Sequence, residues 1–213
     1  MMQVTLNRPW LEARFDTPLR VLSWSINKPG FTKASRILWR EVRNADLPAD
    51  LDVDQWLDDE LRRTDQADAV VLLTSREVTA YVLKQATCAD IMAVCLATVG
   101  LSNAERIGYR VPRNSQDWGT INVAVSVDIG LTKAAQIEAL TIAAQARTAA
   151  VMNAGVKLPT GRATGTGTDC IAMAAPKGEQ RYAGLHTEIG EAIGRAVYDA
   201  VAEGAQDWIK SRD

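Results

Sequence analysis

Only one histidine, three cysteines and two phenylalanines occur among the 213 residues, and each scarcity closes off a class of function. The lone imidazole, His186, rules out a two-histidine metal centre within one chain. Cys88, Cys95 and Cys170 form an odd set without a CxxC pair, each inside an apolar run. That is the usage of buried thiols in a reducing compartment, not of a disulfide scaffold or redox motif. No apolar run reaches the roughly 18 residues of a membrane span. Met1 to Phe15 mixes charge with Pro9 and Trp10 and carries no signal-peptide core, so a soluble, cytoplasmic protein with no membrane partner is expected. Positive charge is not in excess either: 24 Lys and Arg face 26 Asp and Glu, a net charge of -2. This removes the electrostatic term that a nucleic-acid partner requires.

At this length about 70% of the unfolded chain's surface is hidden on folding, so a core forms without disulfides or a structural metal. With no repeat, linker or composition break, residues 1–213 read as a single domain. Apolar residues at Leu19–Leu22 and Ile37–Val42 predict two early strands, separated by a turn region from Asn27 to Lys33 that Pro29 and Gly30 interrupt, with Trp24 and Trp39 stacked between them. Asp46 to Asp68 holds nine acids against Arg62 and Arg63, which predicts an exposed acidic helix over 54–63. The apolar runs 69–73 and 89–99 predict central buried strands, joined by a short helix through Val78, Tyr81 and Val82 as a βαβ unit. From Gly119 to Val127, Ile121, Val123, Val125 and Val127 alternate with small or polar residues, so Asn122 should point away from the valines. A helix capped by Thr132 should end near Gly155, with Ile137, Leu140, Ala144 and Val151 inward. After the strand 170–175, a last helix from Thr187 to about Glu203 should bury Ile189, Ile193, Val197 and Val201. The expected fold class is α/β: a mixed, largely buried sheet packed by helices.

Chemistry concentrates in Thr164-Gly165-Thr166-Gly167-Thr168-Asp169, which sets three hydroxyls, two glycines and a carboxylate before a strand. Such a loop can cradle an amide-rich or anionic ligand or an oxyanion; the plain alternative is a turn whose threonines satisfy their own backbone. It is no P-loop, and the nucleophile elbow of α/β-hydrolases is absent. His186 enters the final helix either as a general acid or base or as a surface or capping residue. Glu188 and Glu191 suit the first turn of that helix, and Glu191 can pair with Arg195. Gly190 and Gly194 each weaken the helix by about 1 kcal/mol relative to Ala, so close approach of another backbone or a ligand is expected there.

Gly119-Thr120-Ile121-Asn122, the Ala163 to Asp169 loop, and Tyr182-Ala183-Gly184-Leu185-His186 with Ile189-Gly190-Glu191 together resemble the adenosylcobinamide amidohydrolase family. Val21-Leu22-Ser23, Leu73-Thr74 and Thr98-Val99-Gly100-Leu101-Ser102-Asn103 extend the resemblance over about residues 19 to 200. It implies hydrolysis of the amide joining the aminopropanol arm to the corrin ring of adenosylcobinamide, giving adenosylcobyric acid in corrinoid salvage. Cobalt would arrive inside the substrate, with no resident cofactor or metal. On this reading His186 transfers the proton, Asp169 or Glu191 orients it or activates water, and Thr168 is a nucleophile if a base lies within reach. Asn122, Thr164, Gly165, Thr166, Gly167 and Ser23 would bind substrate. The turn Asn27-Lys28-Pro29-Gly30 and Val99 depart from the family pattern, which leaves room for an amidase acting on another N-substituted propionamide. A corrinoid-binding module without chemistry is the other reading, and the Ala-rich helices and six tryptophans allow a homodimer.

Overall fold

The structure, a computed structural model, describes residues 2–43, 46–48, 50–111 and 119–212. Strands Met2–Asn7 (β1), Trp10–Ser23 (β2) and Gly30–Glu41 (β3) precede helix Val53–Arg63 (α1) and strand Val70–Thr74 (β4). Strands Tyr81–Cys88 (β5), Ile91–Val99 (β6), Ala104–Glu105 (β7) and Ile121–Val127 (β8) lead to helix Lys133–Ala154 (α2). Three two-residue strands, Lys157–Leu158 (β9), Gly161–Arg162 (β10) and Gly165–Thr166 (β11), come before Cys170–Ala175 (β12) and helix Glu188–Lys210 (α3). The main sheet runs β4-β3-β2-β12-β8-β6-β5, with β1 beside β2. Its β3–β4 and β8–β12 pairs are parallel and the rest antiparallel, so the expected mixed α/β architecture is what forms.

The long hairpin β2–β3 bends the sheet over itself. Register is lost between Arg14 and Leu19, where Pro18 has no N–H to give to a ladder. The half carrying Leu11, Ala13, Ile37 and Trp39 consequently packs against Leu96, Ala124, Ala172 and Ala174 of the other half. The opposite face of β6, β8 and β12, with Val123, Val125 and Met173, is covered by α2 and α3. Leu57 and Leu61 of α1 cover the outside of β3 and β4 through Leu38 and Val71, leaving Asp54, Asp58 and Asp59 in water as expected, whereas Glu60 turns in to pair with Arg40 at 3.0 Å. All seven residues of β8 are buried, and its alternation holds: the valines meet the helices and Asn122 faces the other way. Each such valine contributes about 1.5–3 kcal/mol of apolar burial.

Four expectations are corrected. Residues 78–80 form a single 3-10 turn, and β5 and β6 make an antiparallel hairpin closed by Ala89 at φ 48, so there is no βαβ unit; β4 lies at the sheet edge. Trp39 is fully buried between the sheet halves, whereas Trp24 is 46% exposed, so the two do not stack. In α2 Val151 is buried and Leu140 and Ala144 pack against the core as expected, but Ile137 is half exposed and the inner face is completed by Ala135, Ala139, Ile142, Ala143 and Ala150. The last helix extends to Lys210, about two turns beyond the predicted end.

The caps behave as the sequence dictates. Thr132 Oγ1 accepts from Ala135 N at 3.2 Å, and Gly155 closes α2 at φ 77. Thr187 caps α3 through Gly190 N at 3.0 Å. At Gly190 a Cβ would stand 2.1 Å from Gly184 O, which explains that glycine; at Gly194 it would meet only Ile142 at an ordinary 3.7 Å.

Candidate active site at the upper end of the sheet

The start of β8 lies beside the start of β12 and the end of β6, through Asn122 with Cys170 and Ile121 with Val99. This is the upper end of the sheet; Val127 and Ala175 mark the lower end. Between the two sheet halves at the upper end opens a cleft of about 420 Å³, in the size range of small-molecule sites. Trp24, Ile26 and Leu73 supply apolar walls, and Asn122, Gly167 and Thr168 supply polar ones.

Asp169 organises the turn that forms one wall. Its Oδ1 accepts from Ile121 N at 3.1 Å and from Thr166 Oγ1, and its Oδ2 accepts from Thr166 N at 3.0 Å and from the Arg147 guanidinium. Four donors fill the four acceptor positions of a carboxylate. Burial raises the Asp169 pKa above its ordinary value, opposed by Arg147 and by the bonds from Thr166 and Ile121. Gly165 makes room for this clamp, since a Cβ there would sit 2.0 Å from Arg147 Nη1. Thr164 Oγ1 accepts from Ile107 N at 2.8 Å and pins the turn to the loop after β7. The turn closes through Thr166 and Asp169, which leaves Gly167 and Thr168 at its exposed tip.

The remaining polar groups are braced too. Asn122 Nδ2 donates to Leu73 O at 2.6 Å, bridging β8 to the end of β4. Thr120 Oγ1 donates to Thr168 O at 2.8 Å, and Trp24 Nε1 to Asp169 O at 2.7 Å. Thr168 Oγ1 donates to Gly119 O at 3.1 Å and meets Asn103 Nδ2 at 3.4 Å, so no base activates it among the described residues. Ser23 is buried just behind the cleft, its Oγ 3.0 Å from that of Ser25, which lines it. Burial pushes the Cys170 thiol up to about 12, which keeps it protonated at neutral pH.

His186 and Glu191 stand elsewhere. The segment before α3 is tied to the lower end: Thr132 N donates to Gln180 O at 2.9 Å, and Ala183 N to Glu138 Oε2 at 2.6 Å. Glu138 lies nine residues before Arg147 on α2, about 13 Å along the axis, and β8 itself spans about 20 Å between the two ends. His186 is exposed there and makes no hydrogen bond among the described residues. Glu191 pairs loosely with Arg195 at 3.9 Å. The structure thus gathers Asn122, Thr164, Gly165, Thr166, Gly167, Thr168 and Asp169, with Ser23 behind them, and leaves His186 and Glu191 outside the cleft.

The profile of the CbiZ family, adenosylcobinamide amidohydrolases, matches residues 1–213. The chain belongs to this family. Over 109 residues, 48% of its length, it is 36% identical to an uncharacterized protein of Methanocaldococcus jannaschii, and the match spans 42% of that relative. A crystal structure of a Pyrococcus horikoshii protein overlaps 92% of this chain and 76% of its own, at 11% identity and a TM-score of 0.44. In this family member the cleft and its turn also rely on residues to which the sequence alone assigned no role. Arg147 is the one charged residue between Ala139 and Ala154, an isolated cation among alanines, and that isolation was its signal. Trp24, Thr120 and Asn103 lie on separate segments, and only folding brings them together.

Proposed function

We propose that this protein hydrolyses the amide between the aminopropanol arm and the corrin ring of adenosylcobinamide, releasing adenosylcobyric acid in cytoplasmic corrinoid salvage. The observation that carries the reading is the whole-chain family match, which falls on a chain whose family-like loop forms the wall of a cleft. A cleft of this size takes the arm and its amide, while the ring rests on the exposed Trp24 and Ile26 at its mouth. The N–H groups at the Gly167–Thr168 tip, with the Asn122 amide beside them, receive the carbonyl oxygen as it becomes an oxyanion. Water adds to the carbonyl carbon, the C–N bond breaks, and the departing amine takes up a proton. With Thr168 lacking a base and Asp169 fully bonded, the nucleophile in this reading is water and not a side chain. Cobalt travels within the substrate.

A second reading, corrinoid binding without hydrolysis, is favoured by one feature. Among the described residues lining the cleft, the only titratable groups are the saturated Asp169 and the buried Cys170. Incubation with adenosylcobinamide, followed by chromatography, separates the two. Equal amounts of cobyric acid and aminopropanol support hydrolysis; a bound corrinoid recovered intact supports the binding module. Indifference to corrinoids together with cleavage of another N-substituted propionamide overturns both.

A further inference from the structure

A second cavity, of about 500 Å³, lies at the lower end, where β2 and β3 extend past the edge of α2. Arg20, Lys33, Lys133 and Lys177 line it with no carboxylate, in a chain whose net charge is -2. None of the four forms an ion pair with a carboxylate among the described residues. Four cations converging without counter-charge repel one another, and an anion would relieve that repulsion.

The site is also built. Arg20 Nε donates to Oε1 of the fully buried Gln136 at 2.5 Å, and its Nη2 donates to Leu131 O at 2.6 Å. Gln136 is itself anchored to Met173 O and Arg20 O, both at 2.8 Å. Two of the five guanidinium N–H groups are therefore used to fix its plane, and three stay open for a ligand. Lys133 is the first residue of α2, so the positive end of a 22-residue helix adds to the side-chain charge. The other half of the cavity is apolar: Phe31, 36% exposed, and Pro176 form its wall. Arg20 and Lys133 stand over the Phe31 ring, 5.7 and 5.5 Å from its centre, so charge and flat apolar surface form one continuous lining.

From this geometry we infer that the lower cavity binds a small organic phosphate carrying a flat apolar group, as a mononucleotide does. The phosphate sits on the Arg20 fork and the lysines, and the flat group lies on Phe31. This site is separated from the upper cleft by the length of β8. The inference does not depend on the corrinoid reading, because its test contains no corrinoid.

Titration calorimetry of the full chain at low salt, with AMP, ribose 5-phosphate, inorganic phosphate and adenosine, tests it. Saturable AMP binding, weaker binding of ribose 5-phosphate and of inorganic phosphate, and none of adenosine are expected. Lys133→Gln combined with Lys177→Gln should weaken AMP at least about tenfold. Both lysines are exposed, so an unchanged melting curve will show that the fold is intact. Phe31→Leu should bring AMP down to the level of ribose 5-phosphate. Absence of saturable AMP binding, AMP binding indifferent to the lysine pair, or inorganic phosphate binding as tightly as AMP would each overturn the inference.

Discussion

Arg147, from the middle of α2, reaches the carboxylate of Asp169 at the root of β12, and this pair couples the helix layer to the turn that walls the upper cleft. Their side chains are 16% and 6% exposed, so the pair is largely out of water. Its members are unequal in consequence: removing the cation strands a buried carboxylate.

Arg147→Met should therefore destabilise the fold by about 3–5 kcal/mol near neutral pH, measured by urea denaturation. The loss should shrink on acidification. A carboxyl whose folded pKa is raised is favoured protonated in the folded state, so its unfavourable contribution appears as pH rises through that value and fades below it. A pH-independent loss would show that Asp169 is not the stranded group.

The two glycines of the turn should respond unequally to alanine. At Gly165 a Cβ falls 2.0 Å from Arg147 Nη1 and 2.7 Å from Asp169 Oδ2, so Gly165→Ala should break the clamp and cost about 1–3 kcal/mol. At Gly167 the nearest atom is Asn103 Nδ2 at 4.0 Å, and Gly167→Ala should change stability by less than about 0.5 kcal/mol. Paired melting curves check both; equal effects would refute the clamp.

Because His186 stands at the lower end, His186→Ala should keep adenosylcobinamide turnover within about tenfold of the parent rate. General acid–base roles contribute at least about 100-fold, so a loss of that size would put the imidazole in the reaction and require a neighbouring chain or a rearrangement to bring it there.

Glu41 provides a second pH signature. Burial alone would raise its pKa, but the bonds from Arg8, Val78 N and Arg43 together hold it below the ordinary carboxylate value of 4.5. A depressed folded pKa contributes stability above the unfolded value, and that stability is lost as pH falls through the folded one. Glu41→Gln should thus lower the melting temperature most at neutral pH, and its curve should converge with the parent's in acid. Parallel curves at all pH values would exclude this role.

Several elements were legible because their signals are local. The alternation in β8 set Asn122 apart from the valines, Thr132 and Gly155 marked the ends of α2, and Ile189 to Val201 traced the buried face of α3. The false βαβ unit arose where Val78, Tyr81 and Val82 imitate a helical spacing inside what becomes a turn and a strand. Short apolar patterns of this kind fit either period, and the hairpin partner decides between them.

The site divided along the same line. Thr164 to Asp169 are neighbours in the chain, so their donors were bound to share one turn, and the glycines at 165 and 167 were visible as gaps in side-chain bulk. Composition and spacing thus determined the elements, their caps and the donor-rich turn, all of which depend on interactions within a few residues. The partner of Asp169 and the location of His186 depend instead on how the sheet bends and how α2 and α3 lie across it. Those are contacts between residues tens of positions apart, and only the packed tertiary structure could assign Arg147 to the turn and put the imidazole outside the cleft.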